Sequence, residues 1–338
     1  MDTEKSQMPD RLSPNNLMEM VYAFQRSRVL LTAYELDLFT ILGAKSRSST
    51  QIAKTLGTDD RATDRLMNAL CAIGLLQKKE EQFSNNPLTS QFLIRGKPDF
   101  MAGLMHSVHL WDTWSTLTEA VRQGKSVRTA PVNERSKKWL EAFIAAMHWR
   151  GKQQASAVVA LLDLTSVSRV LDVGGGSGCY SMAFVRARQG IKAVVFDLPN
   201  VIPLTREYIS QEGLLGSVET IMGDYKTDEL GRGFDLVFLS AIIHSNSLGE
   251  NQELIHRCAD ALKPKGQIVV QDFIMDEDRT GPARGALFAL NMLVGTDSGD
   301  TYTESEIRKW MEDAGLSDII RKETNLGTHL MIGKKGAR

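Results

Sequence analysis

The chain has 338 residues, enough for about two domains, and its 42% hydrophobic and 24% charged residues match an ordinary soluble protein. Its formal net charge of −1 excludes a global field that would gather nucleic acid or an acidic membrane. Three cysteines, Cys71, Cys179 and Cys258, are odd in number and far apart, so they form neither a disulfide framework nor a zinc-like spacing. They fit a reducing, cytoplasmic setting. There is no basic-plus-apolar leader and no apolar run of about 18 residues, so neither secretion nor membrane spanning is expected. The first ten or so residues are polar and are expected to be disordered.

From Leu17 to Leu42 apolar residues recur at helical spacing, through Val21, Phe24, Val29, Leu30 and Leu38. Ser49 or Thr50 is placed to cap a short helix carrying Ile52, Ala53 and Leu56, and Gly57 breaks it. Asp59 or Asp60 is placed to cap a second helix with Leu66, Leu70 and Ile73, ended by Gly74. Leu76 to Phe83 reads as a small polar hairpin. Helix, turn, helix, hairpin is a winged-helix outline. A DNA reader normally shows a clear basic face, but residues 1–95 hold 12 Lys/Arg against 11 Asp/Glu. Packing and dimerisation are therefore the expected role. Residues 99–160 return to helix, with Trp111, Trp114, Phe143, Met147 and Trp149.

The second half alternates. Strands are expected at 169–173, 192–196, 217–221, 234–239 and 266–274, with helices near 178–188, 200–212 and 250–262. Lys263-Pro264-Lys265-Gly266 reads as a turn. A helix at 304–314 and strands near 317–323 and 328–334 close the domain. Such alternation implies a mostly parallel seven-stranded sheet covered on both faces, with ligands at the carboxyl ends of its strands. The expected division is a mostly helical part with a winged-helix outline at 1–155 and an alternating α/β part at 156–338.

The densest signal is Val170-Leu171-Asp172-Val173-Gly174-Gly175-Gly176-Ser177-Gly178, an apolar run reaching an acid and then a glycine-rich turn. It fits a nucleotide-cofactor loop; alone, it also fits a tight strand–helix corner. The glycines are spaced Gly-x-Gly-x-Gly, without the third glycine of the dinucleotide fingerprint, and Asp172 would repel a phosphate. S-adenosylmethionine (SAM) carries no phosphate, and its sulfonium and ammonium charges favour a nearby carboxylate. Asp197 ends the next strand about 20 residues on, where this type of fold binds a ribose, although it also fits a helix cap before Pro199. Further polar residues fall at strand ends: Asp224 and Tyr225, suited to an adenine amino group and ring face, then Ser240, His244 and Asp272.

A neutral His244 can take the proton of a phenol during methyl transfer, with Asp272 orienting the imidazole. Alone, His244 also fits a structural role closing a loop. No metal-ligand spacing is evident among the other histidines, so catalysis without Mg²⁺ is expected.

The motifs Leu171–Gly178, Phe196-Asp197-Leu198-Pro199, Gly223-Asp224-Tyr225 and the strand into His244, in this order, resemble the SAM-dependent O-methyltransferases that include plant caffeate and flavonoid enzymes and acetylserotonin O-methyltransferase. The resemblance runs from about Leu17 to Gly333. It implies that 1–155 is a winged-helix-like dimerisation and substrate-cap domain through which a homodimer forms, and that 156–338 is a Rossmann-like SAM-binding catalytic domain. It also implies SAM held by Asp172, Gly174, Gly176, Asp197, Leu198, Asp224, Tyr225 and Ser240, with S-adenosylhomocysteine as product. His244 falls on the family's general base and Asp272 on the acid that supports it; Phe143, Met147 and Met292 match positions lining the acceptor pocket. The usual His-Asp-Trp is here His244-Ser245-Asn246; the Ile243-His244-Ser245 stretch resembles bacterial-type members, and Thr301 stands where plant relatives have a second Glu. The expected reaction is methylation of a hydroxyl on a small aromatic acceptor, without nucleic acid or membrane partners. The alternatives are N- or C-methylation or another SAM-dependent reaction on the same fold, and a DNA-binding regulator with SAM as effector.

Overall fold

The structure is a computed structural model and describes residues 12–128, 130, 132–324 and 326–337. The expected disorder at the N-terminus lies outside the described residues. The chain divides by packing into two compact units, at Val108–His109.

In the first unit, α1 (Pro14–Glu35) starts from a capping box in which the Ser13 hydroxyl accepts from the Asn16 N–H and the Asn16 side chain answers. Asp37 then takes a left-handed conformation, φ +55°, and splits the expected long helix into α1 and α2 (Leu38–Leu42). The next helix, α3 (Ser49–Leu56), is capped by Ser48 with Gln51, one residue before the expected cap, and stops at Gly57. Asp59 caps α4 (Asp60–Ala72) through the Ala62 N–H at 2.8 Å. The hairpin β1 (Leu76–Lys79) and β2 (Gln82–Asn85) follows, then α5 (Pro87–Phe92). Their apolar faces close over Ala33, Leu38, Phe39, Ile52, Met67, Leu70 and Phe83.

Helix α6 (Leu104–Trp114) carries the chain across the division, and α7 (Leu117–Gln123) and the long α8 (Lys137–Val159) belong by packing to the second unit. There α8 lies against α9 (Cys179–Ala187) so closely that a Cβ on Gly151 would collide with the Cys179 sulfur. The central strands are β3 (Arg169–Val173), β4 (Lys192–Asp197), β5 (Val218–Met222), β6 (Phe234–Ser240) and β7 (Leu262–Asp272). Helices α10 (Ile202–Gln211) and α11 (Leu248–Ala261) connect them. Two short strands, β8 (Ile274–Met275) and β9 (Tyr302–Thr303), pair in parallel and flank α12 (Ala283–Gly295). Then come α13 (Glu304–Asp313), β10 (Leu316–Glu323) and β11 (His329–Lys335).

The seven-stranded sheet runs β10-β11-β7-β6-β3-β4-β5; β11 is antiparallel to β7 and β10 to β11, and the rest is parallel. Leu171 and Val173 of β3 face a core completed by Leu254, Ile255 and Met311, while Val170 faces Val158, Phe184 and Ile209. Both faces are covered, which is why these strands read as continuous apolar runs. From β3 the chain moves outward to β5 and returns with β6 beside β3. The carboxyl ends of β3 and β6 therefore flank a topological switch point, where such sheets bind ligands.

Two further features differ from the sequence reading. Lys263–Gly266 is a bulge inside β7: pairing with β6 continues on both sides, with a register shift and Lys265 at φ +65°. Helix α12 was not expected. Pro282 takes its cap position without a side-chain hydrogen bond, so the Ser/Thr/Asp/Asn start signal is missing.

Candidate active site

The loop after β3 is built from backbone that side chains would obstruct. Gly174, Gly176 and Gly178 have φ of +64°, +56° and +73°, so the Gly-x-Gly-x-Gly spacing marks three left-handed residues. A Cβ on Gly174 would collide with Ile242, and one on Gly175 would sit 2.7 Å from the Asp172 carboxyl carbon. Asp172 lies buried behind the loop, where its Oδ2 accepts from the Ser181 N–H at 3.2 Å and hydroxyl at 2.8 Å. Burial pushes its pKa up to about 7, with the Ser181 bonds opposing the shift. Its carboxylate thus ties the glycine loop to the first turn of α9.

Asp197, at the end of β4, faces the same loop. Oδ2 accepts from the Gly176 N–H at 2.8 Å and Oδ1 from the Leu198 N–H at 2.7 Å. Burial raises its pKa to about 6, and these two donors hold it below what burial alone would give. A carboxylate has about four lone-pair sites, so two remain for a hydroxyl pair. Leu198, like Phe143, packs against the buried cluster of Leu140, Ile144 and Val201. After β5, Gly223 passes so near the Phe196 ring that a Cβ would collide with it. Asp224 follows, its Oδ1 accepting from the Lys226 N–H at 2.9 Å, and then Tyr225. Ser240 is engaged elsewhere: its hydroxyl donates to Gln271 at 3.1 Å.

Beyond Ser240, Ala241 turns the chain with φ +57°, a conformation costly for a residue with a Cβ, into a 3₁₀ turn at Ile243–Ser245. That turn carries His244. Its Nδ1 lies 2.9 and 3.0 Å from the two carboxylate oxygens of Asp272, at the end of the neighbouring β7. Asp272 Oδ1 also accepts from the Phe273 N–H at 2.8 Å, which orients the carboxylate. With Nδ1–H given to Asp272, a neutral His244 keeps the Nε2 lone pair for an incoming proton. Phe288 of α12 sets its ring at 79° to the imidazole, 4.8 Å between centroids, and packs at 4.8 Å on Phe273.

Phe288 was not singled out by the sequence reading; its signal was its position one helical turn from Met292. Met292 is buried on α12, and Phe143 and Met147 are half-buried, one turn apart, on α8. The next residue, His148, had no assigned role. Its Nδ1 is 3.0 Å from the Ser177 hydroxyl of the glycine loop, and its ring stacks on Tyr208 at 4.1 Å. Among the described residues no group of three or more His, Cys, Asp or Glu side chains is arranged to hold a metal ion.

The chain matches two family models, an O-methyltransferase domain over residues 114–317 and an O-methyltransferase dimerisation domain over residues 18–95. The chain belongs to the SAM-dependent O-methyltransferase family. It is 31% identical over 318 residues to a 3-hydroxy-5-methyl-1-naphthoate 3-O-methyltransferase of Streptomyces sahachiroi, covering 92% of each chain. It is also 31% identical over 331 residues to the tetracenomycin polyketide synthesis 8-O-methyl transferase TcmO of Streptomyces glaucescens, covering 95% of this chain and 97% of that one. Among solved structures, an O-methyltransferase family protein from Burkholderia thailandensis superimposes with a TM-score of 0.87 at 26% identity, covering 97% of this chain and 99% of that one.

Proposed function

We propose that this O-methyltransferase methylates a hydroxyl of a small aromatic acceptor, with His244 as general base and Asp272 as its support. The His244–Asp272 pair at the carboxyl ends of β6 and β7 carries the reading. SAM supplies, when bound, a methyl group on a sulfonium leaving group. The protein has to align the acceptor oxygen, exclude water and receive one proton. His244 receives that proton at Nε2, and the Asp272 carboxylate stabilises the imidazolium through Nδ1. Phe288 fixes the plane of the imidazole, while Phe143, Met147 and Met292 offer apolar surface suited to an aromatic ring.

The cofactor assignment rests on the glycine cradle and the spare acceptor capacity of Asp197. Gly174 and Gly176 allow close approach, Asp197 takes the ribose hydroxyls, Leu198 supports them, and Asp224 with Tyr225 takes the adenine. Asp172 acts through the loop it anchors, and Ser240 through Gln271. Residues up to 155 serve dimerisation and acceptor capping, and those from 156 hold SAM, although α7 and α8 pack with the second unit. The match to the family's dimerisation domain supports a homodimer. Three cysteines outside any disulfide fit a cytoplasmic location, and among the described residues no helix is long and apolar enough to cross a membrane.

The test is to incubate the protein with SAM and a panel of phenolic acceptors, naphthoates included, and weigh the products. A one-methyl mass gain on oxygen is expected. Transfer only to nitrogen or carbon, or none to any hydroxylated aromatic ring, would overturn the reading.

A further inference from the structure

The turn that carries His244 ends on a buried polar network of which only Tyr225 has a role in the function proposed above. Asn246 is 1% exposed, and its Oδ1 accepts from the Tyr225 hydroxyl at 3.1 Å. Its Nδ2 donates to Asn251 Oδ1 at 3.2 Å, and the fully buried Asn251 donates to the Ile243 carbonyl at 2.8 Å. The Tyr302 hydroxyl donates to the Asn246 carbonyl. On the other side, the chain at Gly299 passes so near that a Cβ would collide with the His244 carbonyl. The Ile243 carbonyl before His244 is thus held by a chain of hydrogen bonds ending on Tyr225, and Asn246, two residues after His244, by that chain and by Tyr302. Burial raises the Tyr225 pKa, so the hydroxyl stays a donor to Asn246.

A buried, satisfied polar network is stiff, because each unmade bond costs the desolvation of its group. Displacement of the Tyr225 ring is therefore passed to Asn246, to Asn251 and to the peptide preceding His244. We propose that Asn246 is a positioning residue that couples occupancy of the adenine end of the cofactor site to the placement of the His244 imidazole. The proposal rests on the reading of Tyr225 as the adenine platform and His244 as the base. Its consequence is that a seated cofactor adjusts the placement of an imidazole that Asp272 and Phe288 already orient.

The test uses the full chain and adenosine, which fills the adenine end without reaching the acceptor. The His244 ring resonance, assigned by its absence in His244→Ala, is followed during titration. In the parent protein it should move on saturation with adenosine. In Tyr225→Phe, which deletes one oxygen and preserves packing, and in Asn246→Leu, the movement should fall at least about twofold at full occupancy. With SAM saturating and sites counted by S-adenosylhomocysteine stoichiometry, each variant should lose about tenfold in kcat, with a shifted acid limb of the kcat–pH profile. The double variant should be no worse than either single, the non-additivity of one network. An unchanged resonance shift in both variants, or losses that multiply, would overturn the coupling. Full activity in His244→Ala would instead overturn the base assignment, which the adenosine titration does not depend on.

Discussion

At the scale of single residues, the chemistry reduces to a few groups whose removal has distinct signatures. His244→Ala should lower kcat by about 10²–10⁴ while leaving the SAM dissociation constant nearly unchanged. The deficit should narrow as pH approaches the phenol pKa near ~10, because the acceptor then ionises without help; rates across pH 6–10 check both parts. Asp197 gives a second pH dependence. On the proposed reading its carboxylate must be ionised to accept two ribose hydroxyls, and burial raises its pKa to about 6. Affinity for SAM should therefore be level above that pH and fall as pH drops below it, with proton release on binding. Calorimetry in buffers of different ionisation enthalpy reads both, and affinity that is flat down to pH 5 would remove Asp197 from the site. Asp172 and Asp197 were legible in the sequence as strand-end acids. That one faces the loop and the other hides behind it was not, because strand register and α9 decide which carboxylate Ser181 takes.

Among the elements, the glycine loop is the most constrained. Gly174→Ala adds a Cβ at φ +64° and against Ile242, so a cost of about 1–2 kcal/mol is expected from conformation alone. SAM affinity should fall at least about tenfold, with the sheet intact by circular dichroism. In the first unit, Asp59→Ala removes the cap of α4 and should cost about 1 kcal/mol of stability, read as a lowered Tm without loss of SAM affinity. Caps and glycine stops were readable because they act within four residues. The bulge in β7 and the start of α12 were not. A bulge is defined by the partner strand, and α12 begins at a proline whose signal alone does not separate a helix start from a loop.

For the whole molecule, the exposed apolar side chains of α1 bear on assembly. Leu17, Met20, Val21 and Tyr22 are each more than half exposed, on a helix within the stretch matched by the dimerisation domain. Exposed apolar surface of this kind marks an interaction site. Val21→Glu should shift the sedimentation coefficient from dimer toward monomer, and an unchanged dimer would place the interface elsewhere. The sequence alone determined the seven strands of the covered, mostly parallel sheet and the Gly-x-Gly-x-Gly turn after β3, because periodicity, caps and backbone handedness are local properties. Only the tertiary structure decided the distance at which the expected His244–Asp272 pair meets, that Phe288 flanks the His244 imidazole, and that Asn246 links Tyr225 to the His244 turn. Those contacts join residues far apart in the chain, and their distances are set by how β6, β7 and α12 pack.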